Sequence, residues 1–296
     1  MEEKKYKSGF VNIIGNPNVG KSTLMNKLVG EKLSIITSKA QTTRHRILGV
    51  VNEEDYQIVF SDTPGIIQPH YSLQSSMMKF VKSAFQDADV FLYMVEIGEK
   101  ALKDASFFER LKTTEIPILL LINKIDKSDQ AGVENAIDHW REQLPLAKIL
   151  PISAIEGFGV EQIMGEITDL LPEGIPYFPK DALTDKPERF FVSEIIREKI
   201  LINYQKEVPY SVEVVVEAFK EEETIIRIGA IINVARETQK GIIIGHQGAA
   251  LKKVGTQARK DLEVFFGKKV YLELFVKVIK NWRDNDQDLK RFGYHT

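Results

Sequence analysis

Eight residues constrain this chain more than any others: Gly15-Asn16-Pro17-Asn18-Val19-Gly20-Lys21-Ser22, set between the apolar run Phe10–Ile14 and a helical stretch, Ser22–Val29. They match G-x-x-x-x-G-K-[ST] in the context that pattern needs, a strand running into a helix. The glycines let backbone N–H groups turn inward around a phosphate, and the helix N-terminus adds partial positive charge. Lys21 can then reach the β- and γ-phosphates, Ser22 offers a hydroxyl to Mg²⁺, and Thr23 follows within the same loop-to-helix junction.

Beyond this motif the first two-thirds of the chain alternates short β-branched runs with amphipathic stretches. The runs Phe10–Ile14, Gln57–Phe60, Val90–Val95, Ile118–Ile122 and Lys148–Ile152 predict strands. Between them Ser22–Val29, Leu73–Phe85, Asp104–Lys112, Val133–Leu144 and Val160–Leu171 predict helices, several with apolar residues three and four apart. Such alternation predicts an α/β domain with a parallel sheet covered on both faces. It stops at Pro172, and Pro176, Pro179 and Pro187 punctuate the next fifteen residues. The expected layout is a domain over 1–172, a linker over 173–187 and a second domain over 188–296.

In that second part Glu188–Tyr204 predicts a helix, Ser211–Phe219 and Thr224–Val234 a hairpin, Ala249–Phe266 an amphipathic helix and Val270–Ile279 a strand. The α-β-β-α-β order predicts a small α+β domain. A total charge of −2 conceals an asymmetry: residues 236–296 carry 13 Lys/Arg against 7 Asp/Glu, a net +6, which leaves −8 on the rest. A polyanion larger than a nucleotide is therefore expected at the C-terminal end. The charged start, the absence of any run of about 18 uncharged apolar residues and the absence of cysteine predict a soluble, cytoplasmic protein without disulfides or thiolate metal sites.

Three further segments follow predicted strands. Asp62-Thr63-Pro64-Gly65 places a carboxylate where it can hold Mg²⁺ through water and a Gly65 N–H where it can meet the γ-phosphate. Asn123-Lys124-Ile125-Asp126 supplies a carboxylate that accepts from N1–H and N2–H₂ of guanine, donors that adenine lacks on that edge. Asn123 is expected to brace the loops and the Lys124 stem to cover the base, while Ser153-Ala154 can offer an N–H to guanine O6.

In this order the four segments resemble those of the translation-factor-related GTPases over residues 1–172. The resemblance implies that Gln41-Thr42-Thr43-Arg44 is a mobile switch segment and that Thr43 completes the Mg²⁺ shell. One departure bears on mechanism: where many such enzymes carry a water-orienting glutamine, this chain has Ile66. Related GTPases with an asparagine at the position of Asn18 use a bound K⁺ in place of an arginine finger, which implies slow hydrolysis assisted by K⁺. The groups expected to act on the transferred phosphoryl group are thus Lys21, Asn18, Thr43 and Gly65.

At the other end, Gly245-His246-Gln247-Gly248 follows Ile242-Ile243-Ile244 and opens the helix bearing Lys252, Lys253, Arg259 and Lys260. A G-x-x-G loop between helical segments beside a three-stranded sheet marks KH domains, which clamp about four nucleotides. The basic residues are expected to meet phosphates and Ile242–Ile244 to floor the bases. The single strand after the helix resembles the type II variant. The Asn281–Tyr294 tail interleaves aromatic and basic residues, compatible either with base stacking or with packing as a C-terminal helix.

One GTPase domain followed by one type II KH domain resembles the Era family, and the resemblance covers the whole chain. It implies an α/β doubly wound mixed sheet of the P-loop GTPase kind plus the small α+β KH domain, with GTP/GDP, Mg²⁺ and K⁺ as cofactors. It also implies binding to the 3′ end of 16S ribosomal RNA, assistance to 30S subunit maturation and a peripheral contact with the inner membrane, with no obligate protein partner. Two rival readings are an RNA-binding module with a structural nucleotide and a membrane-associated signalling GTPase.

Overall fold

The computed structural model describes residues 5–294. They form two compact units, one of residues 5–70 with 74–185 and one of 71–73 with 186–294. The first is built on six strands: β1 (Lys7–Ile14), β2 (Ile47–Asn52), β3 (Tyr56–Asp62), β4 (Val90–Glu96), β5 (Ile118–Asn123) and β6 (Lys148–Pro151). Their spatial order is β2-β3-β1-β4-β5-β6, parallel throughout except for β2, which runs antiparallel to β3. The order reverses around β1, and ligands of such sheets bind beyond the carboxyl ends of the strands at that point. Helices α1 (Lys21–Val29), α2 (Ser72–Ala84), α3 (Ala105–Thr113), α4 (Gln130–Gln143) and α5 (Val160–Leu170) connect the strands.

The strands read as nearly continuous hydrocarbon because both faces are covered: Val90–Val95 is buried throughout. Trp140 of α4, fully buried, meets Tyr93 edge-on at 5.6 Å. Asp104 and Asp129 start α3 and α4 by accepting from the Ser106 and Gly132 amides, satisfying donors that a helix end leaves open. The strand missing from the sequence expectations is β2. Its Gly49 lets α1 lie close, since a β-carbon there would stand 2.6 Å from Met25 Cε and 2.8 Å from Val29 Cγ2.

The segment read as a linker, 173–187, is corrected by its hydrogen bonds. The Gly174 amide donates to Tyr6 O at 3.0 Å, and the Val50 amide donates to Leu183 O at 2.8 Å. Gln57 Oε1 accepts from both the Tyr177 and Phe178 amides. Prolines blocked a helix here but left enough donors and acceptors to border the sheet, so the first unit extends to residue 185.

The second unit comprises α6 (Glu188–Asn203), β7 (Val212–Glu221), β8 (Ile225–Val234), α7 (Glu237–Ile244), α8 (Ala249–Phe266), β9 (Lys269–Val278) and α9 (Asp286–Arg291). Strand β7 pairs antiparallel with β8, and β8 pairs parallel with β9. A parallel pair needs a crossover, which α7 and α8 supply. The order is therefore α-β-β-α-α-β, one helix more than expected. The added helix, α7, begins where Gln239 Oε1 accepts from both the Ala235 and Arg236 amides at 3.0 Å. The core gathers Val192, Ile196, Ile200, Ile228, Ile232, Val254 and Leu262.

The tail packs. Trp282 is fully buried and donates its indole N–H to Ser211 O at 3.1 Å, Phe292 meets it edge-on at 5.5 Å, and Tyr294 donates its hydroxyl to Glu213 Oε2 at 2.7 Å. Those three rings are thereby unavailable for base stacking. Among the described residues no helix is long and apolar enough to cross a membrane.

Candidate functional site

At the carboxyl ends of β1, β3, β4 and β5 lies a cavity of ≈ 390 Å³. The loop after β1 forms one wall. Gly15 adopts φ +151°, and a β-carbon there would stand 2.2 Å from Met94 O; at Gly20, φ +109°, it would stand 2.3 Å from Asn123 Nδ2. Only glycine fits either place. Lys21 is buried beneath the loop and donates to Gly15 O at 3.2 Å and Asn16 O at 2.8 Å. Burial pushes its pKa down to about 8. Phosphate oxygens beside Lys21 would favour the charged form that burial disfavours.

Pro17, Asn18, Gly20, Lys21, Ser22 and Thr23 line the cavity. Val19 is buried and its carbonyl accepts from Asn123 Nδ2 at 2.7 Å. The Asn16 side chain faces another way: its Nδ2 donates to Glu99 and to Ala101 O, and its Oδ1 accepts from the Lys103 amide at 2.9 Å. It braces the loop against residues 99–103.

A cluster of oxygens sits at the start of α1. Ser22 Oγ donates to Asp62 Oδ2 at 2.7 Å, Thr43 Oγ1 donates to the same oxygen at 3.2 Å, and the two hydroxyls are 2.9 Å apart. Burial raises the Asp62 pKa, against the hydrogen bond from Ser22 and the charge of Lys21. Its other oxygen, Oδ1, is buried without a partner among the described residues. Such an orphaned carboxylate oxygen beside two hydroxyls fits a hard divalent cation, and the donor set suits Mg²⁺. Thr63 Oγ1 ties the following turn to Ile13 O at 2.8 Å. Gly65 presses against the phosphate loop, where a β-carbon would stand 2.6 Å from Pro17 Cα. Ile66 is fully buried, and its amide donates to Gly15 O at 3.0 Å.

The far end of the cavity is held by Asn123, which donates to Val19 O and accepts from the Ala154 amide at 2.9 Å. Asp126 is exposed at the rim, with Oδ1 accepting from Ser153 Oγ at 2.6 Å. Lys124, at φ +65°, donates to Asn18 O at 2.8 Å and to Glu96 Oε2 at 2.6 Å. Its stem lines the cavity, as do Ile36 and Ile155, both exposed hydrocarbon that no motif flagged. Their exposure is a structural fact that the sequence does not show.

The second unit carries a groove of ≈ 360 Å³ between α8 and β9, lined by Gly248, Leu251, Lys252, Gly255, Thr256, Arg259, Leu272 and Leu274. At Gly245, φ +70°, a β-carbon would meet that of Ala250 at 2.6 Å, whereas Gly248, φ +78°, faces open space. His246 and Gln247 are exposed at the loop tip. Expectation fails at Ile243, which is wholly buried in the core as part of α7. The floor is made instead by Leu251, Leu272 and Leu274. Ile242 and Ile244 end α7 outside the groove lining, Lys253 is exposed beyond it, and Arg259 Nη1 pairs with Glu263 at 2.8 Å.

Two family models match the chain: "50S ribosome-binding GTPase" over residues 10–124 and "KH domain" over residues 207–283. A crystal structure of Era with MgGDPNP and nucleotides 1506–1542 of 16S ribosomal RNA is 41% identical, with a TM-score of 0.94 over 98% of this chain and 100% of that one. The chain belongs to the Era family of GTPases. A variant of Era from Aquifex aeolicus bound to GDP and AlF₄⁻ is 42% identical, with the same TM-score and the same coverage. The KH-domain match spans the residues of the G-x-x-G groove.

Proposed function

We propose that this protein is a GTP-hydrolysing switch that binds 16S ribosomal RNA near its 3′ end and assists maturation of the 30S subunit. The observation that carries the reading is the presence, in one chain, of both a phosphate-and-base cavity and a G-x-x-G groove, similar end to end to Era held with a GTP analogue and that RNA. Lys21 and the loop amides stabilise charge on the transferred phosphoryl group, and Gly65 is placed to add a backbone donor. Ser22, Thr43 and, through water, Asp62 are the residues to hold Mg²⁺, which supplies positive charge at the β- and γ-phosphate oxygens. Asp126 reads the guanine donor edge, Asn123 and Ser153 hold the loops that carry it, and the Lys124 stem covers the base.

Asn18 Nδ2 donates to Ser38 O at 3.0 Å, which sets this side chain between the phosphate loop and the chain leading into Gln41–Arg44. With the amide turned, Asn18 Oδ1 and the Ser38 carbonyl are two oxygen donors for K⁺. Single-turnover hydrolysis is then faster in K⁺ than in Na⁺ buffer, and equal rates remove the K⁺ assignment.

RNA phosphates are expected at Lys252, Lys253 and Arg259 and along Gly245–Gly248, with bases over Leu251, Leu272 and Leu274. Working residence is the cytoplasm, with a fraction at the inner membrane. The γ-phosphate orders residues 41–44 and 62–67, and that order changes RNA affinity. Footprinting on native ribosomal RNA tests the reading: protection near the 16S 3′ end is expected, absent for Gly248→Asp. No protection by the unsubstituted protein with a GTP analogue bound would refute it.

A further inference from the structure

Hydrolysis requires the attacking water to be held in line, and the fold denies that role to the position where many GTPases place a glutamine. Ile66 is hydrocarbon, and it is wholly buried. A different glutamine stands nearby. A second cavity, ≈ 350 Å³, is lined by Gln41, Ile67, Gln68, His70, Gln74 and Lys103. With Ala40 completing it, the lining is mixed, five polar side chains beside Ala40 and Ile67, and the His70 amide is fixed by Gln74 Oε1 at 2.7 Å. Among the described residues, Gln41 is the one common to the linings of this cavity and the nucleotide cavity.

Three facts about position 41 bear on catalysis. It lies two residues, at most about 7 Å of chain, from Thr43, whose hydroxyl is part of the oxygen cluster. It is half-buried, while Thr42 and Thr43 beside it are buried. Its backbone has φ +57°, a left-handed conformation that a side chain disfavours and that recurs at functional sites. In-line attack must come from the side of the γ-phosphate opposite the β–γ bridge, away from the loop that holds the leaving group. Thr42, Thr43 and Gly65 line the nucleotide cavity, and the residues flanking them, Gln41 and Ile67–Gln68, wall the second cavity.

We propose that Gln41 orients the attacking water, which enters from the second cavity, and that Gln41 is thereby a catalytic residue. Its carbonyl accepts from the water and its amide donates to a γ-phosphate oxygen. The water oxygen bonds to phosphorus as the bond to the bridging oxygen breaks. GDP leaves with that electron pair, and the water's proton passes to a phosphate oxygen. Gln68, Gln74 and His70 keep a polar path for the water.

The assignment rests on the GTPase reading, and the full-length chain with Mg²⁺ and K⁺ tests both. Gln41→Met keeps the length and removes both hydrogen-bonding atoms; Gln41→Gly relieves the backbone and removes the side chain. Both are expected to slow single-turnover hydrolysis about 10²-fold, to keep GDPNP affinity within about twofold and to abolish tightening of GDP by AlF₄⁻. Gln41→Glu, which retains an acceptor for the water, should recover part of the rate. A Gln41→Met protein hydrolysing at the unsubstituted rate, or one losing GDPNP affinity in step with rate, would overturn the assignment. Absence of phosphate release from the unsubstituted protein would bring down the GTPase reading and this one with it.

Discussion

In the nucleotide cavity the polar groups expected to meet phosphate and metal are buried or half-buried and already hydrogen-bonded within the protein, whereas in the KH groove the charged groups reach solvent and the floor is hydrocarbon. Ser22, Thr43 and Asp62 converge within hydrogen-bonding distances, with one carboxylate oxygen left over, while Lys21 donates to the loop carbonyls of Gly15 and Asn16. Lys252 and Arg259 rim a floor of Leu251, Leu272 and Leu274. The first arrangement leaves polar groups unpaired when the wrong ligand enters, which discriminates strongly. The second gains from phosphate neutralisation and base contact, which depend on salt more than on sequence.

Substitutions can break this contrast in graded steps. Asp126→Asn should act most strongly, costing GTP on the order of 10⁴ in affinity while raising affinity for xanthosine triphosphate, whose C2 carbonyl can accept from the new amide; titration with the two nucleotides shows it. Next comes Trp282→Ala, which empties a wholly buried site and should destabilise the second unit by about 3–5 kcal/mol in chemical denaturation. If that variant instead kept its stability and lost RNA, the tail would be a stacking platform after all. Gly248→Asp puts a negative charge and a strained backbone where phosphate should lie. RNA affinity should fall about 10- to 100-fold with GTP binding untouched, as read by filter binding of RNA and nucleotide in parallel. Smallest is Lys252→Ala, expected to weaken RNA a few-fold, uniformly across sequences, and to flatten the salt slope by about 1.

How legible each region was follows the same divide. The phosphate loop and the Asp62, Asn123 and Asp126 segments could be read because they need particular residues at fixed spacing after a strand, and the fold brings them to one cavity. Strand β2 escaped because Ile47–Asn52 is a short border strand interrupted by Gly49, whose purpose is the approach of α1, a tertiary fact. Helix α7 escaped because three consecutive isoleucines look like strand or floor. The Gln239 cap and burial of Ile243 decide otherwise, packing overriding propensity. The segment 173–185 looked like a linker because prolines report only what a chain cannot form. Its partners, Tyr6, Gln57 and Val50, lie more than 100 residues away. Ser153-Ala154 was legible only as a source of a backbone N–H for guanine O6; the bond from the Ala154 amide to Asn123 is set by loop geometry that a dipeptide does not encode.

The guanine preference should come from Asp126, at the rim of the nucleotide cavity. Equilibrium competition between GTP and ATP for the unsubstituted protein, with Mg²⁺ present, measures it directly. A preference for GTP on the order of 10⁴ is predicted; equal affinity for the two nucleotides would contradict it.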